Sequence, residues 1–213
     1  MKPHRLVFLI LILAAPASAQ VRPVTAKVRQ TEQLIVGGVV VETHVREGVI
    51  GRTSDGLLLI QRFTNLDGKE LTGPLAHGIL VDRKDGFAYN LDYRTHTGVR
   101  TSGNSKVDPE HDPDAGRVFT NAQDQVEGIS CRVIPESFEY KGVETPIGDE
   151  CVSPEYGLAL KRDVTMALPN APGKSKHIVM QAYDIQLGVE PGAELTDISQ
   201  FEMEDMPRTG VQQ

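Results

Sequence analysis

Four acidic side chains at alternate positions form the first group in the sequence whose spacing could bind a metal ion: Asp108, Glu110, Asp112 and Asp114. Oxygen ligands at alternating positions begin the calcium loop of an EF-hand. Pro109 and Pro113 stiffen this run, however, and the turn glycine and the distal glutamate of such a loop are both missing. We therefore favour a solvated acidic loop, with calcium binding as the alternative.

The histidines and the one suggestive serine give no support for catalysis. Histidines are scattered over different predicted strands and turns, at positions 44, 77, 96 and 177, and none has the spacing of a zinc site. Ser130 lies in a Gly-Ile-Ser-Cys-Arg sequence that lacks the last glycine of a nucleophile elbow, and it falls inside a predicted strand. No glycine loop of the phosphate-binding kind opens a helix. We predict a protein that is not an enzyme, with no catalytic residue, no metal and no cofactor.

Cys131 and Cys151 are the two cysteines of the chain. In an oxidising compartment such a pair predicts a disulfide, and two buried free thiols are the alternative. Lys141 and Gly142 lie midway between the cysteines. A hairpin about that turn would bring the two cysteines face to face, at a Cα separation of about 4.5–5.5 Å that a disulfide can bridge.

The N-terminus has the three parts of a secretory signal peptide. A positively charged start is followed by an unbroken apolar run over residues 6–13 and by an Ala-Ser-Ala exit that ends at Ala19. We predict that residues 1–19 are a signal peptide and that cleavage falls between Ala19 and Gln20. The apolar run is far short of the roughly 20 residues that span a bilayer. The sequence therefore predicts an exported protein, periplasmic or secreted, with no transmembrane anchor after processing.

Charge limits the partners of the processed chain. Loss of Lys2 and Arg5 leaves 20 basic residues against 29 acidic ones, a net charge of −9. An acidic surface repels phosphate backbones and anionic membranes. Nucleic acid is therefore excluded as a partner.

The elements that must position these residues are mainly short strands. Gly37 and Gly38 separate two valine-rich runs, which indicates a hairpin. The clearest half-buried strand alternates apolar and polar residues through Phe87, Tyr89, Leu91 and Tyr93. Only Pro23 to Gln33 has a weak helical pattern, so a short helix is expected there.

Many short strands joined by turns in sequence order predict a mainly β fold. We expect a curved antiparallel sheet or open half-barrel, with at most one or two short helices. Residues 20–206 would form a single β-rich domain. Within it, Ser102 to Gly116 has no apolar alternation and is predicted to be a long mobile loop. Residues 207–213 are predicted to be a frayed tail.

Four stretches of the sequence resemble a group of uncharacterised exported bacterial proteins. Asp82 to Asp92 with Thr95-His96-Thr97 resembles a hairpin of that group, and Val126 to Cys131 resembles the start of one of its strands. Ser153 to Leu158 resembles its turn, and Asp197 to Met203 its ending. These proteins in turn resemble, more distantly, the LolA-like superfamily of periplasmic lipoprotein carriers and anti-sigma regulators.

The resemblance implies an antiparallel sheet folded into an open half-barrel whose concave face takes acyl chains. A curved sheet needs a cover for its concave apolar face, and that cover is either its own residues or a hydrophobic ligand. Two functions remain open. The protein binds a lipid or lipoprotein acyl chain, or it is a protein–protein interaction or structural module of the envelope without a small ligand. A deep apolar groove would favour the first, and a filled interior the second.

Overall fold

The computed structural model describes residues 22–82, 84–102, 120 and 122–206. The predicted cleavage site at Ala19 and Gln20, the acidic run from Asp108 to Asp114 with nearly all of the predicted mobile loop, and the tail 207–213 lie outside those residues. The described part consists of thirteen strands in one open sheet. The strands are β1 Val24–Val36, β2 Val39–Arg52, β3 Leu58–Leu66, β4 Lys69–Glu70, β5 His77–Asp82, β6 Phe87–Asp92, β7 Thr97–Ser102, β8 Gln123–Val126, β9 Ile129–Tyr140, β10 Val143–Val152, β11 Ala159–Ala167, β12 Lys174–Leu187 and β13 Glu202–Asp205.

Helical structure in the described residues is confined to short turns. They are α1 over Ala193–Thr196 and two 3-10 helices, at Gly73–Ala76 and Ile198–Gln200. The predicted helix at Pro23 to Gln33 is wrong, because β1 occupies it. Burial along β1 alternates with a period of two from Val24 onwards, and β1 pairs along its length with a strand on each side. Pairing on both sides overrides a weak local helical pattern.

The strand order is β13-β7-β6-β5-β3-β2-β1-β12-β11-β10-β9-β8, with β4 paired only to β3. Every pairing is antiparallel except the one between β13 and β7. Most neighbours in the sheet are consecutive hairpins, whereas β12 closes back on β1. The prediction of a mainly antiparallel β fold is confirmed.

Two hydrogen bonds show how strongly the sheet curls. Glu127, in the turn between β8 and β9, accepts a bond from the backbone N–H of Ile185 in β12 at 3.1 Å. Arg52, at the end of β2, donates to the carbonyl of Glu155 in the turn between β10 and β11 at 3.4 Å. Each bond joins parts of the sheet three strands apart, which is about 14 Å in a flat sheet. The sheet is therefore an open half-barrel, curled most tightly at this end, which we call the closed end.

The opposite end carries the hairpin turns of β1–β2, β9–β10 and β11–β12, and we call it the hairpin end. The curled sheet surrounds a large apolar cluster, to which β1, β2, β3, β8, β9, β10, β11 and β12 contribute. A sheet without a helical layer can bury a face in this way only by curling around it.

A second apolar cluster lies on the convex face. It is formed by Leu59, Leu80, Tyr89 and Leu91, and the C-terminal segment covers it through Phe201. Tyr93 anchors that cover, since its hydroxyl donates to the carbonyl of Leu195 at 2.8 Å. The alternating strand that the sequence singles out thus packs beneath the chain's own C-terminal segment and does not line the concave face.

The structure joins Cys131 and Cys151 in a disulfide with a Cα separation of 5.4 Å. The hairpin argument predicts that the two cysteines lie directly opposite each other, and this detail is wrong. The register next to the Lys141-Gly142 turn would already place Cys151 opposite Arg132, and the shift between Pro146 and Gly148 moves it one position further, opposite Val133. The bridge therefore runs diagonally across the strand pair and closes the apolar cluster beside β8.

Candidate functional site

The half of the concave face next to the closed end is apolar. Cross-strand register places its side chains in adjacent rows: Val24, Ala26, Val28, Ile50 and Ala182. All five are at most 2% exposed. We call these rows the apolar half.

Two irregular segments cover the apolar half. One follows β4 and contributes Leu71 and Ala76, and the other is the turn between β10 and β11, which contributes Tyr156 and Leu158. All four side chains belong to the same apolar cluster as Val28. In the described residues the concave interior is thus filled by the chain itself and shows no deep apolar groove.

The turn over residues 153–158, which we call the cover turn, holds polar groups in an apolar setting. Burial and a hydrogen bond with Glu155 raise the pKa of Tyr156 to about 12. Ser153 is fully buried, and its hydroxyl has no partner in the described structure. Arg52 beneath the turn is 5% exposed, and its Nε is likewise buried without a partner among the described residues.

Burial lowers the pKa of Arg52. The one hydrogen bond of its guanidinium group among the described residues is the long bond to the Glu155 carbonyl. Unpaired buried polar atoms are unfavourable, because they lose water without gaining a partner. The cover turn is therefore less firmly held than its burial alone would indicate.

The half of the concave face next to the hairpin end is ionic. Glu32 of β1 accepts hydrogen bonds from Gln30 Nε2 at 2.8 Å and from Lys176 Nζ at 2.9 Å, and it forms an ion pair with Arg46 at 3.1 Å. Its side chain is only 8% exposed. Burying a carboxylate is tolerated when several donors converge on it, as they do here.

A second ion pair continues the ionic half across the sheet. Arg162 of β11 donates through two nitrogens to Glu136 of β9, each at 2.6 Å. This bidentate pairing raises the pKa of Arg162. Met180 separates Gln30 from Arg162 in one cross-strand row, so the two ion pairs lie on the same face. We call these rows the ionic half.

The four scattered histidines stay apart. His44 lies between Asp67 and Glu42, at 2.9 and 2.7 Å, and hydrogen bonds to these carboxylates raise its pKa. The others are His77 beside Asp92, His96 against the ring of Phe201, and His177 between Gln33 and Asp163. No cluster of metal-ligating side chains occurs within the described ranges. Ser130 lies within β9, as its sequence context predicts.

A shallow groove of about 570 Å³ lies elsewhere, between β7 and β13 and their neighbours. Its lining includes His77 and three acidic residues, Asp92, Glu202 and Glu204, so carboxylates border the groove. It does not have the character of an acyl-chain site. No helix in the part of the chain that the structure describes could cross a bilayer.

Sequence reasoning did not identify the concave-face residues. Glu32, Arg46, Lys176 and Arg162 lie on four different strands, and only the register brings them together. The local signal for this face is the alternation along β1. Val24, Ala26 and Val28 share one face of the strand, and the polar residues Gln30 and Glu32 continue that face. Val24, Val28, Thr31 and Ile35 also fit a weak helical pattern, so the local sequence does not decide between a strand and a helix.

No protein-family model matches the chain, and no curated protein matches it. Among solved structures, the chain is similar to a LolA superfamily protein from Nitrosomonas europaea, with a TM-score of 0.33 and 9% identity over 78% of this chain and 87% of that one. It is also similar to a putative outer membrane lipoprotein-sorting protein domain from Vibrio parahaemolyticus, with a TM-score of 0.25 and 12% identity over 84% of this chain and 91% of that one. Because both TM-scores are low, the function proposed below rests on the chain's own residues.

Proposed function

We propose that this protein is an exported, non-enzymatic binding protein of the cell envelope, and that it takes an acyl chain into the apolar half of its concave face. The observation that carries the proposal is the cover turn. It lies over the apolar half while the Ser153 hydroxyl and the Arg52 Nε beside it have no partners in the described structure. Displacing the turn would return these polar atoms to water, which offsets part of the cost of opening.

The chemistry of the exposed apolar rows suits such a ligand. When the two covers move aside, Val24, Val28 and Ile50 would be left facing a curved apolar channel. Burial of an acyl chain is favourable by about 0.8 kcal/mol per methylene, so even a short chain could replace the contacts of the covers. The ionic half at the hairpin end would then face the polar end of the ligand.

A second candidate is a protein–protein interaction or structural module of the envelope with no small ligand. The filled concave interior favours it, because each side chain of the apolar half is already buried by the chain itself. In this account the two covers are permanent parts of the core.

Binding of a fluorescent fatty-acid probe to oxidised, monodisperse protein tests the first proposal. We expect saturable binding that unlabelled lipid displaces. Leu75 lies in the covering segment that follows β4 and packs against the apolar cluster. Leu75→Ala weakens that packing, so the segment competes less with the ligand and the probe should bind a few-fold more tightly. Leu187→Ala is the matched control, because Leu187 is 51% exposed.

Absence of saturable probe binding would remove the acyl-chain proposal. Specific capture of one envelope protein by the same preparation would then support the interaction module. Equal effects of the two leucine variants would show that the probe binds outside the concave face.

A further inference from the structure

The tip of the β1–β2 hairpin is apolar and exposed. From Leu34 to Val41 the chain has no charged residue. Four valines of this tip, at positions 36, 39, 40 and 41, are 36–64% exposed. An apolar patch that the rest of the chain leaves uncovered indicates an interaction surface.

Both faces of this tip are apolar. Val36 lies opposite Val39, and Ile35 lies opposite Val40 on the other face. Val41 is the extra residue at the register shift between the two strands. A partner that docked flat against the sheet would cover one face only. A strand added in the plane of the sheet extends both faces at once.

The outer edge of β2 is free at this tip. Pairing with β3 begins at Arg46, and Asp67 ends the shared edge by bonding both the N–H and the carbonyl of Val45. From Val39 to His44, no strand in the described ranges pairs with that side of β2. On the other side, β12 covers β1 as far as Val36. We call the outer side of Val39 to His44 the free edge.

An apolar, unpaired strand edge is a template for pairing with another strand. A lipid bilayer is a poor occupant, because hydrocarbon cannot satisfy the free backbone groups of an open edge. The occupant must therefore supply backbone hydrogen bonds and be apolar on both faces. The free edge itself has both properties.

We propose that the free edge pairs antiparallel with the free edge of a second copy, giving a two-fold symmetric dimer with one continuous sheet. With the two-fold axis at Val40, that residue lies opposite its own counterpart, and Val39 lies opposite Val41 of the second copy. Cross-strand pairs of β-branched residues stabilise such a ladder. In this register the paired segment is Val39 to Val41 of each copy, which contains no charged residue, and Glu42 lies beside the Gly37-Gly38 turn of the second copy.

Analytical ultracentrifugation of the oxidised chain from Gln20 to Gln213 over a range of concentrations tests this proposal. We expect a reversible monomer–dimer equilibrium. Val40→Lys places a charge within the paired region, and it should weaken the dimer at least tenfold. Val143→Lys is the matched control, because Val143 is 64% exposed at the tip of the β9–β10 hairpin, and it should leave the equilibrium unchanged.

Circular dichroism would show that both variants keep the wild-type fold, since both sites are exposed. A wild-type chain that stays monomeric at every concentration would overturn the proposal. A dimer that Val40→Lys and Val143→Lys weaken equally would also overturn it. So would flotation of the wild type, but not of Val40→Lys, with zwitterionic phospholipid vesicles, because the tip would then bind lipid. The proposal does not depend on the acyl-chain proposal, and neither test decides the other.

Discussion

The two halves of the concave face are built from the same strands and yet differ in chemistry. In β1, Val28 is fully buried among apolar neighbours, whereas Glu32, four residues further along on the same face, is buried among Gln30, Arg46 and Lys176. Irregular segments of the chain cover the apolar half. In the ionic half, the buried charged side chains pair with one another. One continuous face thus offers an apolar and a charged environment side by side, which is the arrangement that an amphipathic ligand requires.

Removal of Glu32 should cause the largest loss of stability, because it removes the ion pairs of Glu32 from the ionic half. Glu32→Ala leaves Arg46, Lys176 and Gln30 without their shared acceptor. Loss of one partner from a buried ion pair costs about 3–5 kcal/mol, and we expect the lower end of that range because Lys176 is partly exposed. Urea unfolding would measure the change. Glu70→Ala, at an exposed site, is the control and should change the free energy of unfolding little; an equal loss in both variants would contradict the account.

Loss of the disulfide should cause the next largest loss of stability, and it tests how much the bridge contributes near the closed end. The bridge between Cys131 and Cys151 spans 20 residues. On the chain-entropy model a loop of this size stabilises the fold by roughly 3 kcal/mol. Replacement of both cysteines by alanine should lower the free energy of unfolding by about that amount. A non-reducing peptide map that finds two free thiols in the wild-type protein would contradict the pairing.

Alkaline pH should distinguish the cover turn from exposed parts of the molecule. Tyr156 has a pKa of about 12 in the folded protein, against about 10 in an unfolded chain. Between these values the unfolded state loses its proton first, so the free energy of unfolding falls as the pH rises from about 10 to 12. Tyr156→Phe should make that fall shallower, whereas Tyr140→Phe, at an exposed site, should not. Urea unfolding at several pH values would measure this dependence. If the turn were open to solvent, the free energy of unfolding would fall equally with pH in the wild type and in Tyr156→Phe.

The smallest expected effect concerns His44 at the hairpin end. Its pKa is raised first by the hydrogen bond to Asp67 and then by the one to Glu42. Its contribution to stability is therefore complete below an unfolded pKa of about 6.5, and it is lost as the pH rises through the raised folded value. In an NMR titration, Asp67→Asn should lower the His44 pKa more than Glu42→Gln does. The reverse order would show that the turn after β3 does not hold this histidine.

The fold class could be predicted from the sequence because turn residues and alternation are local signals. The hairpin at Gly37-Gly38 and the strand beginning at Phe87 have the predicted form. The concave face could not be predicted in this way. Register decides which side chains share a row, and the shift between Pro146 and Gly148 moves the residues beyond it by one position. For Ser153 to Leu158 the sequence indicates only a turn, since nothing local indicates what a turn lies against.

Native mass spectrometry of the protein purified from its own envelope tests the central claim most directly. The account predicts a population of the processed, oxidised chain that carries one co-purified lipid, released on unfolding. The same preparation of Leu75→Ala should carry more lipid than that of Leu187→Ala. A chain that is free of lipid in every preparation, with the two variants alike, would contradict the claim that the apolar half takes an acyl chain.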